Sequence, residues 1–265
     1  MLVTFQQLGR LGRLGNQLFQ IAATIGEARR RGWEFAFSEW PYADLFAGSL
    51  PRLPASADQL PTYRESTFFF TQPEFAGSRQ LVGYFQSERY FAHCADEIRR
   101  MFQPKVWIVD QCRSQCAQLL ESPTCSIHVR RGDYVNHPLF VDLAATGYYE
   151  KAMDQFPHET RFLVFSDDIP YCRQRFRGKQ FSFVQTNHEV IDLHLMSRCD
   201  SHIIANSSFS WWGAWLNPHA EKTVVAPRQW FRGSASDPDI PFVPGPPHRG
   251  FHDTRDLVPS NWRRV

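Results

Sequence analysis

Ser126-Ile127-His128-Val129-Arg130-Arg131-Gly132-Asp133-Tyr134 is a short apolar run that passes without transition into charge and a glycine turn. The pattern returns downstream. Phe162-Leu163-Val164-Phe165 runs into Ser166-Asp167-Asp168, His202-Ile203-Ile204-Ala205 runs into Asn206-Ser207-Ser208, and Thr223-Val224-Val225-Ala226 is a fourth apolar run. Each run has strand length, and helix-length segments separate them, which predicts a parallel α/β sheet. Open parallel sheets bind ligands beyond the carboxyl ends of their strands, so the polar groups that follow the runs should converge on one crevice.

Upstream, Leu2-Val3-Thr4-Phe5 leads into a glycine-rich stretch from Gly9 to Gln17, after which Leu18, Ile21, Ala22 and Ile25 recur at helical spacing. This reads as strand, glycine loop, helix. From Trp40 to about Arg79 the periodicity fades into Pro- and Ser-containing sequence, expected to form loops and short helices, as a substrate-facing insertion or as a plain surface excursion. The tail from Gly233 is Pro-rich, with Trp262 its expected anchor.

With 265 residues and 43% hydrophobic composition the chain can bury one large core or two compact Rossmann-like halves. Its 29 Lys+Arg against 27 Asp+Glu create no global field that favours nucleic acid. The six cysteines include no C-x-x-C pair and are expected to be reduced and buried. Met1 to Arg10 has no secretory-signal pattern, and no stretch approaches the ~20 apolar residues of a membrane helix, so a cytoplasmic protein without a transmembrane segment is expected.

Three segments carry chemistry. Arg130 and Arg131 at a strand end can present forked cations to a pyrophosphate, and cations fixed beside a departing diphosphate lower the barrier as a metal would. The bland alternative is a surface salt bridge between Arg131 and Asp133. Asn206, Ser207 or Ser208 can cap a helix whose N-terminus faces a phosphate, or merely satisfy that helix while Trp211 and Trp212 fill the core. For the tryptophans, core is the reading adopted. Gly12-Arg13-Leu14-Gly15-Asn16-Gln17 lets backbone approach a ligand, or is a plain strand-to-helix turn.

Other chemistries lack their motifs. Neither a G-x-G-x-x-G nor a Walker sequence is present, and no G-x-S-x-G elbow or H-E-x-x-H occurs. The D-x-D pattern occurs only as Asp237-Pro238-Asp239 in the tail, while Asp167 and Asp168 are adjacent, so no metal is expected at the donor site.

G-R-L-G-N-Q, H-V-R-R-G-D-Y, F-S-D-D and N-S-S-F-S-W-W-G-A-W, in this order, resemble bacterial α-1,2-fucosyltransferases of glycosyltransferase family 11. Gly83-Tyr84-Phe85-Gln86-Ser87-Glu88 and Pro259-Ser260-Asn261-Trp262 extend the likeness over nearly the whole chain. The resemblance implies a GT-B-like α/β fold of two Rossmann-like halves facing each other across a cleft: an acceptor-side half over residues 1–124 and a GDP-fucose-binding half over 125–265. It implies metal-independent, inverting transfer of fucose from GDP-fucose to the 2-hydroxyl of a galactose-terminated oligosaccharide or lipid-linked glycan, with no cofactor. Arg130 would contact the diphosphate, with Arg131 a second cation or a structural support. His128 would line the nucleoside, Asp192 would accept guanine N1–H and N2–H, and Ser207, Ser208 and Phe209 would lie at the phosphate and ribose. Asn16 would reach donor and acceptor, Gln86 and Glu88 belong to the acceptor side, and Asp167 and Asp168 would be structural or ribose-directed. As proton acceptor from the attacking hydroxyl, Asp133 ranks first and Glu88 second, although Asp133 serves as well as a loop-holding salt bridge. The resembling animal enzymes carry an N-terminal anchor, so a chain without a span points to a bacterial cytoplasmic enzyme, with peripheral inner-membrane contact if the acceptor is lipid-linked.

Overall fold

A computed structural model describes residues 1–57, 59–232 and 253–265, which divide into two compact units. The first contains Met1–Lys105 and 253–259; the second contains 106–232 and 260–265.

In the first unit, β1 (Leu2–Phe5) is followed by α1 (Leu14–Arg31), β2 (Glu34–Phe37), β3 (Thr62–Arg64), β4 (Arg79–Val82) and α2 (Ala95–Met101). The strands form a parallel sheet ordered β2-β1-β4-β3. Strand, glycine loop and helix stand where the sequence placed them. From Leu14 to Ala28, α1 is buried on every side except at Asn16. A helix surrounded by protein must satisfy its polar side chains internally. Gln17 donates to Gly12 O (2.9 Å) and accepts from the Trp40 indole (2.7 Å), while Gln20 donates to Leu11 O (3.0 Å). The buried amides of α1 thereby hold the glycine loop. Gly32, at φ 66°, ends the helix in a left-handed cap.

Gly26 marks the closest approach to α1: a Cβ there would lie 2.1 Å from the Tyr90 carbonyl oxygen, a rigid backbone atom. Gly26→Ala is therefore expected to destabilise by about 1–3 kcal/mol through overpacking. A urea melt reports it; an unchanged midpoint would show that the contact yields freely.

The aperiodic stretch from Trp40 contains single 3₁₀ turns at Ala43–Leu45 and Ala55–Ala57, as its composition predicts, but it also supplies β3. That edge strand has three residues and no buried one, too short to leave a period.

In the second unit, α3 (Val106–Cys116) precedes β5 (Thr124–Val129), α4 (Tyr148–Met153), β6 (Arg161–Ser166), α5 (Ile169–Arg175) and β7 (Phe181–Phe183). Then come α6 (Glu189–Ser197), β8 (Ser201–Ile203), α7 (Ser208–Leu216), β9 (Val224–Ala226) and β10 (Arg263–Arg264). Six parallel strands are ordered β10-β9-β8-β5-β6-β7. The four apolar runs are β5, β6, β8 and β9, and all six residues of β5 are buried. From β5 the chain steps outward through β6 and β7, and from β8 outward through β9 and β10. The order therefore reverses between β5 and β8, which is where a doubly wound sheet opens a ligand crevice.

The units part at Lys105 and Val106, ahead of the Thr124/Cys125 boundary drawn from the sequence, because α3 packs on α6. Residues 253–259 rejoin the first unit, where the Asp256 carboxylate accepts from Phe70 N (3.2 Å) and Arg89 (3.1 Å). Trp262 packs its ring 5.5 Å from that of Trp211, the anchor expected for the tail. Asp237-Pro238-Asp239 lies outside the described residues. All six cysteines are free, and five are buried.

Candidate functional site

The loops after β5 and β8 flank the reversal point of the second sheet. Beyond β5, Arg130 forms ion pairs with Asp133 and with Asp167 (3.0 Å), and its guanidinium lies 5.4 Å from the Tyr134 ring centre. Arg131 is held at every point: its N–H donates to Asp167 (2.9 Å), its side chain pairs with Asp168 (3.2 Å) and Asp142 (3.5 Å), and its guanidinium stacks 3.6 Å from the Tyr171 ring centre. Of the two roles open to Arg131, structural support is the one its contacts display. Asp133 pairs with Arg130, not with Arg131 as the salt-bridge alternative had it, because the turn at Gly132–Tyr134 carries Asp133 back over Arg130. A Cβ at Gly132 would lie 2.6 Å from Asp167 Oδ2, so a side chain there would displace the carboxylate that pairs with Arg130. Asp167 and Asp168 both hold arginines, the structural alternative of their two.

Two ion pairs leave Arg130 further N–H donors, because a guanidinium has five. Four aspartates surround the two arginines here.

Beyond β8, Asn206 is buried and donates to Val141 O (3.1 Å) and Trp230 O (2.9 Å), which makes it a strut for the loop. Ser207 is the N-cap of α7, its hydroxyl accepting from Phe209 N (3.3 Å), and Ser208 is the first helical residue. Trp211 and Trp212 are fully buried, so core is their role. The His128 ring sits 5.6 Å from that of Phe209, so the end of β5 and the first turn of α7 meet through these rings. Burial first, then the Arg130 charge, push the His128 imidazole down to about 3, so it is neutral at physiological pH. Its Nδ1 is buried with no partner among the described residues.

Asp192 lies in the first turn of α6 and accepts a 2.6 Å hydrogen bond from Thr186 Oγ1. Burial raises its carboxyl above the usual range, and the Thr186 bond opposes that shift. Thr186 also receives the His188 N–H (3.3 Å), and the half-exposed Trp107 ring stands edge-on to His188 at 6.3 Å. Thr186, His188, Trp107, Asp142 and Tyr171 were not read from the sequence. Each is an ordinary residue type whose relevance comes only from a neighbour brought in by the fold.

The first unit repeats the arrangement. Its strand order also reverses beside β1, which leads through the glycine loop to Asn16 in the first turn of α1, and β4, which is followed by Gln86. The buried Gln86 donates from Nε2 to Asn16 Oδ1 (2.6 Å). Gly12, at φ +75°, makes room for Asn16: a Cβ would come within 2.4 Å of its Nδ2. Glu88 is partly exposed and opens a 3₁₀ turn at Glu88–Tyr90. Among the described residues no helix is long and apolar enough to cross a membrane.

The model of glycosyl transferase family 11 matches residues 64–235, well over half of the chain. The chain belongs to glycosyl transferase family 11. The matched region holds Gln86, Arg130, Asp192 and Ser207; the glycine loop and Asn16 precede it. Two Escherichia coli proteins are similar to this family 11 chain. The O-antigen biosynthesis glycosyltransferase WbnK is 36% identical over 58% of the chain and 56% of its own length, and an alpha-1,2-colitosyltransferase is 35% identical over 58% and 57%. The human galactoside alpha-(1,2)-fucosyltransferase 1 is 27% identical over 77% of the chain and 63% of its own length. The chain thus spans little more than half the length of the bacterial relatives it matches. Among solved structures, NodZ alpha-1,6-fucosyltransferase co-crystallised with GDP shares the fold, with a TM-score of 0.53 at 15% identity over 82% of this chain and 92% of its own. The fold is α/β and GT-B-like, built of two Rossmann-like halves.

Proposed function

We propose that the chain is a galactoside 2-α-L-fucosyltransferase, moving L-fucose from GDP-fucose to the 2-hydroxyl of a terminal β-galactoside with inversion and without a metal ion. The observation that carries the reading is Arg130 at the reversal point of the second sheet, on a loop that Arg131 locks through Asp142, Asp167 and Asp168. As the glycosidic bond breaks, charge grows on the departing GDP. Arg130 and the N-terminus of α7 behind Ser207 and Ser208 are placed to stabilise it, which is the service a metal would otherwise perform. His128 and Phe209 line the nucleoside side, and Asp192, with one carboxylate oxygen held by Thr186, accepts the guanine edge. Asn16 contacts both donor and acceptor, and Gln86 and Glu88 belong to the acceptor side on the first unit. Asp133 is the first candidate to take the hydroxyl proton and Glu88 the second. With Asp133 engaged by Arg130, most of the rate is assigned to leaving-group stabilisation.

The acceptor is a galactose-terminated oligosaccharide or lipid-linked glycan, in keeping with the names of WbnK and the human relative. A cytoplasmic site of action, at the inner-membrane surface for a lipid-linked acceptor, belongs to the same proposal. One specific observation favours a second reading, in which colitose replaces fucose: a colitosyltransferase is as similar as WbnK. Turnover of GDP-fucose and GDP-colitose side by side separates the two.

Asp192→Asn tests the guanine assignment. An amide offers the guanine donors one acceptor and one donor, so a charge-assisted pair worth about 1.5–3 kcal/mol is lost, roughly 10- to 100-fold in GDP affinity. Calorimetry should show GDP weakened toward the affinity of ADP. Unchanged preference for GDP over ADP would remove Asp192 from the base site.

A further inference from the structure

The first residue after β3, Glu65, directs its carboxylate into the turn that follows β4. Its own N–H donates to Val82 O (2.9 Å), which fixes it beside that turn. One carboxylate oxygen accepts from Tyr84 N (2.7 Å) and the other from Phe85 N (2.9 Å). Two consecutive amides gripped by one carboxylate set the local backbone, and the backbone they set is an unusual one. Phe85 has φ 51°, in the left-handed region that bulky residues rarely enter, and its ring is fully buried, edge-on to Phe5 at 6.5 Å and to Tyr90 at 5.3 Å. Gly83, at φ +159°, cannot carry a side chain: a Cβ would meet the Glu65 Cβ at 2.5 Å.

Such strain costs on the order of 1–3 kcal/mol and persists where surrounding contacts over-determine it. Burial pushes the Glu65 carboxyl up to about 7 against the pull of the two N–H donors, so holding this turn is costly on a second count. What the strained turn delivers is the next residue, Gln86, whose amide donates to Asn16 Oδ1 at 2.6 Å. A right-handed Phe85 would send the chain in another direction and break that bond. Gln20, on the same helix as Asn16, braces the turn from the far side by donating to Gly83 O (3.4 Å).

We infer that Glu65 is a positioning residue: by clamping Tyr84 and Phe85 it holds the left-handed turn that aims Gln86 at Asn16. The inference rests on the reading above that Asn16 and Gln86 face the substrates.

Glu65→Gln is the test, because it keeps size and shape but offers one acceptor where two amides need two. For transfer from GDP-fucose to a galactoside, kcat is expected to fall at least about tenfold while KM for the donor stays within about twofold, since an aiming defect is felt at the reacting geometry. In a Gln86→Ala background Glu65→Gln should cost nothing more, because both changes cut one chain of contacts. Glu65→Asp, which keeps the charge but draws it back by one methylene, should give a smaller loss. A readout independent of turnover is the side-chain amide resonance pair of Gln86, assigned by its disappearance in Gln86→Ala. Glu65→Gln should move it to the position found in Asn16→Ala, and Glu65→Asp should move it part of the way. A Gln86 resonance left in place by both Glu65 variants, or losses that add in the double variant, would overturn the inference. A wild-type chain that transfers no fucose would refute the fucosyltransferase reading instead, and the resonance would still decide the role of Glu65.

Discussion

Arg130→Ala is expected to lower kcat for fucosyl transfer about 10²- to 10³-fold, the usual consequence of removing one fixed group that meets developing charge. KM for the donor should change far less. Before the glycosidic bond breaks, Asp133 and Asp167 compete with the diphosphate for Arg130, so the ground state gains less from it than the transition state does. On the proposed reading Arg130 turns from these aspartates to phosphate most favourably as charge grows on the departing GDP, and an interaction made mainly in the transition state appears in kcat. Arg130→Lys should recover only part of the rate, since an ammonium cannot bridge an aspartate and a phosphate in the plane of a guanidinium fork. Arg131→Ala should act differently, lowering stability together with rate, because Arg131 ties the loop to Asp142, Asp167 and Asp168. Single-turnover and steady-state kinetics on the three variants check this. Wild-type kcat in Arg130→Ala would remove Arg130 from the donor site.

Trp212→Ala is expected to cost about 3–5 kcal/mol, the range for truncating a buried aromatic residue. Trp212 is fully buried, with its ring 5.1 Å from that of Trp211 and 5.3 Å from that of Trp215, and Trp211 in turn meets Trp262. The cluster seats α7, which begins at Ser208 behind the Ser207 cap, so its loss loosens the proposed phosphate end as well. In a domain of this size the melting midpoint should fall by roughly 6–20 °C. A variant that melts with the wild type but no longer binds glycan would instead make the tryptophans a carbohydrate platform.

The second unit was legible where its strands are buried on both faces. Continuous apolar runs at β5, β6, β8 and β9 announce themselves, and the polar residues after them fall at strand ends by construction. β3, β7 and β10 have no buried residue and so leave no apolar run to read. The arginine pair was legible as chemistry, but its partners were not. Asp142 and Asp167 reach Arg131 only after the sheet is wound, and the turn at Gly132 decides which arginine Asp133 meets. Glu65 is silent in the sequence for the same reason: it stands some twenty positions before the amides it holds, in a stretch without period. The division at Lys105 was hidden because the affinity of α3 for α6 is a packing relation between distant segments.

The most direct test is to incubate the purified chain with GDP-fucose and lactose in excess EDTA and to read the product linkage by NMR. Fucose attached α-1,2 to galactose, formed at the same rate with and without the chelator, is the predicted result. Transfer from a UDP-sugar but not from GDP-fucose, a different linkage, or activity abolished by EDTA and restored by a divalent ion would contradict it.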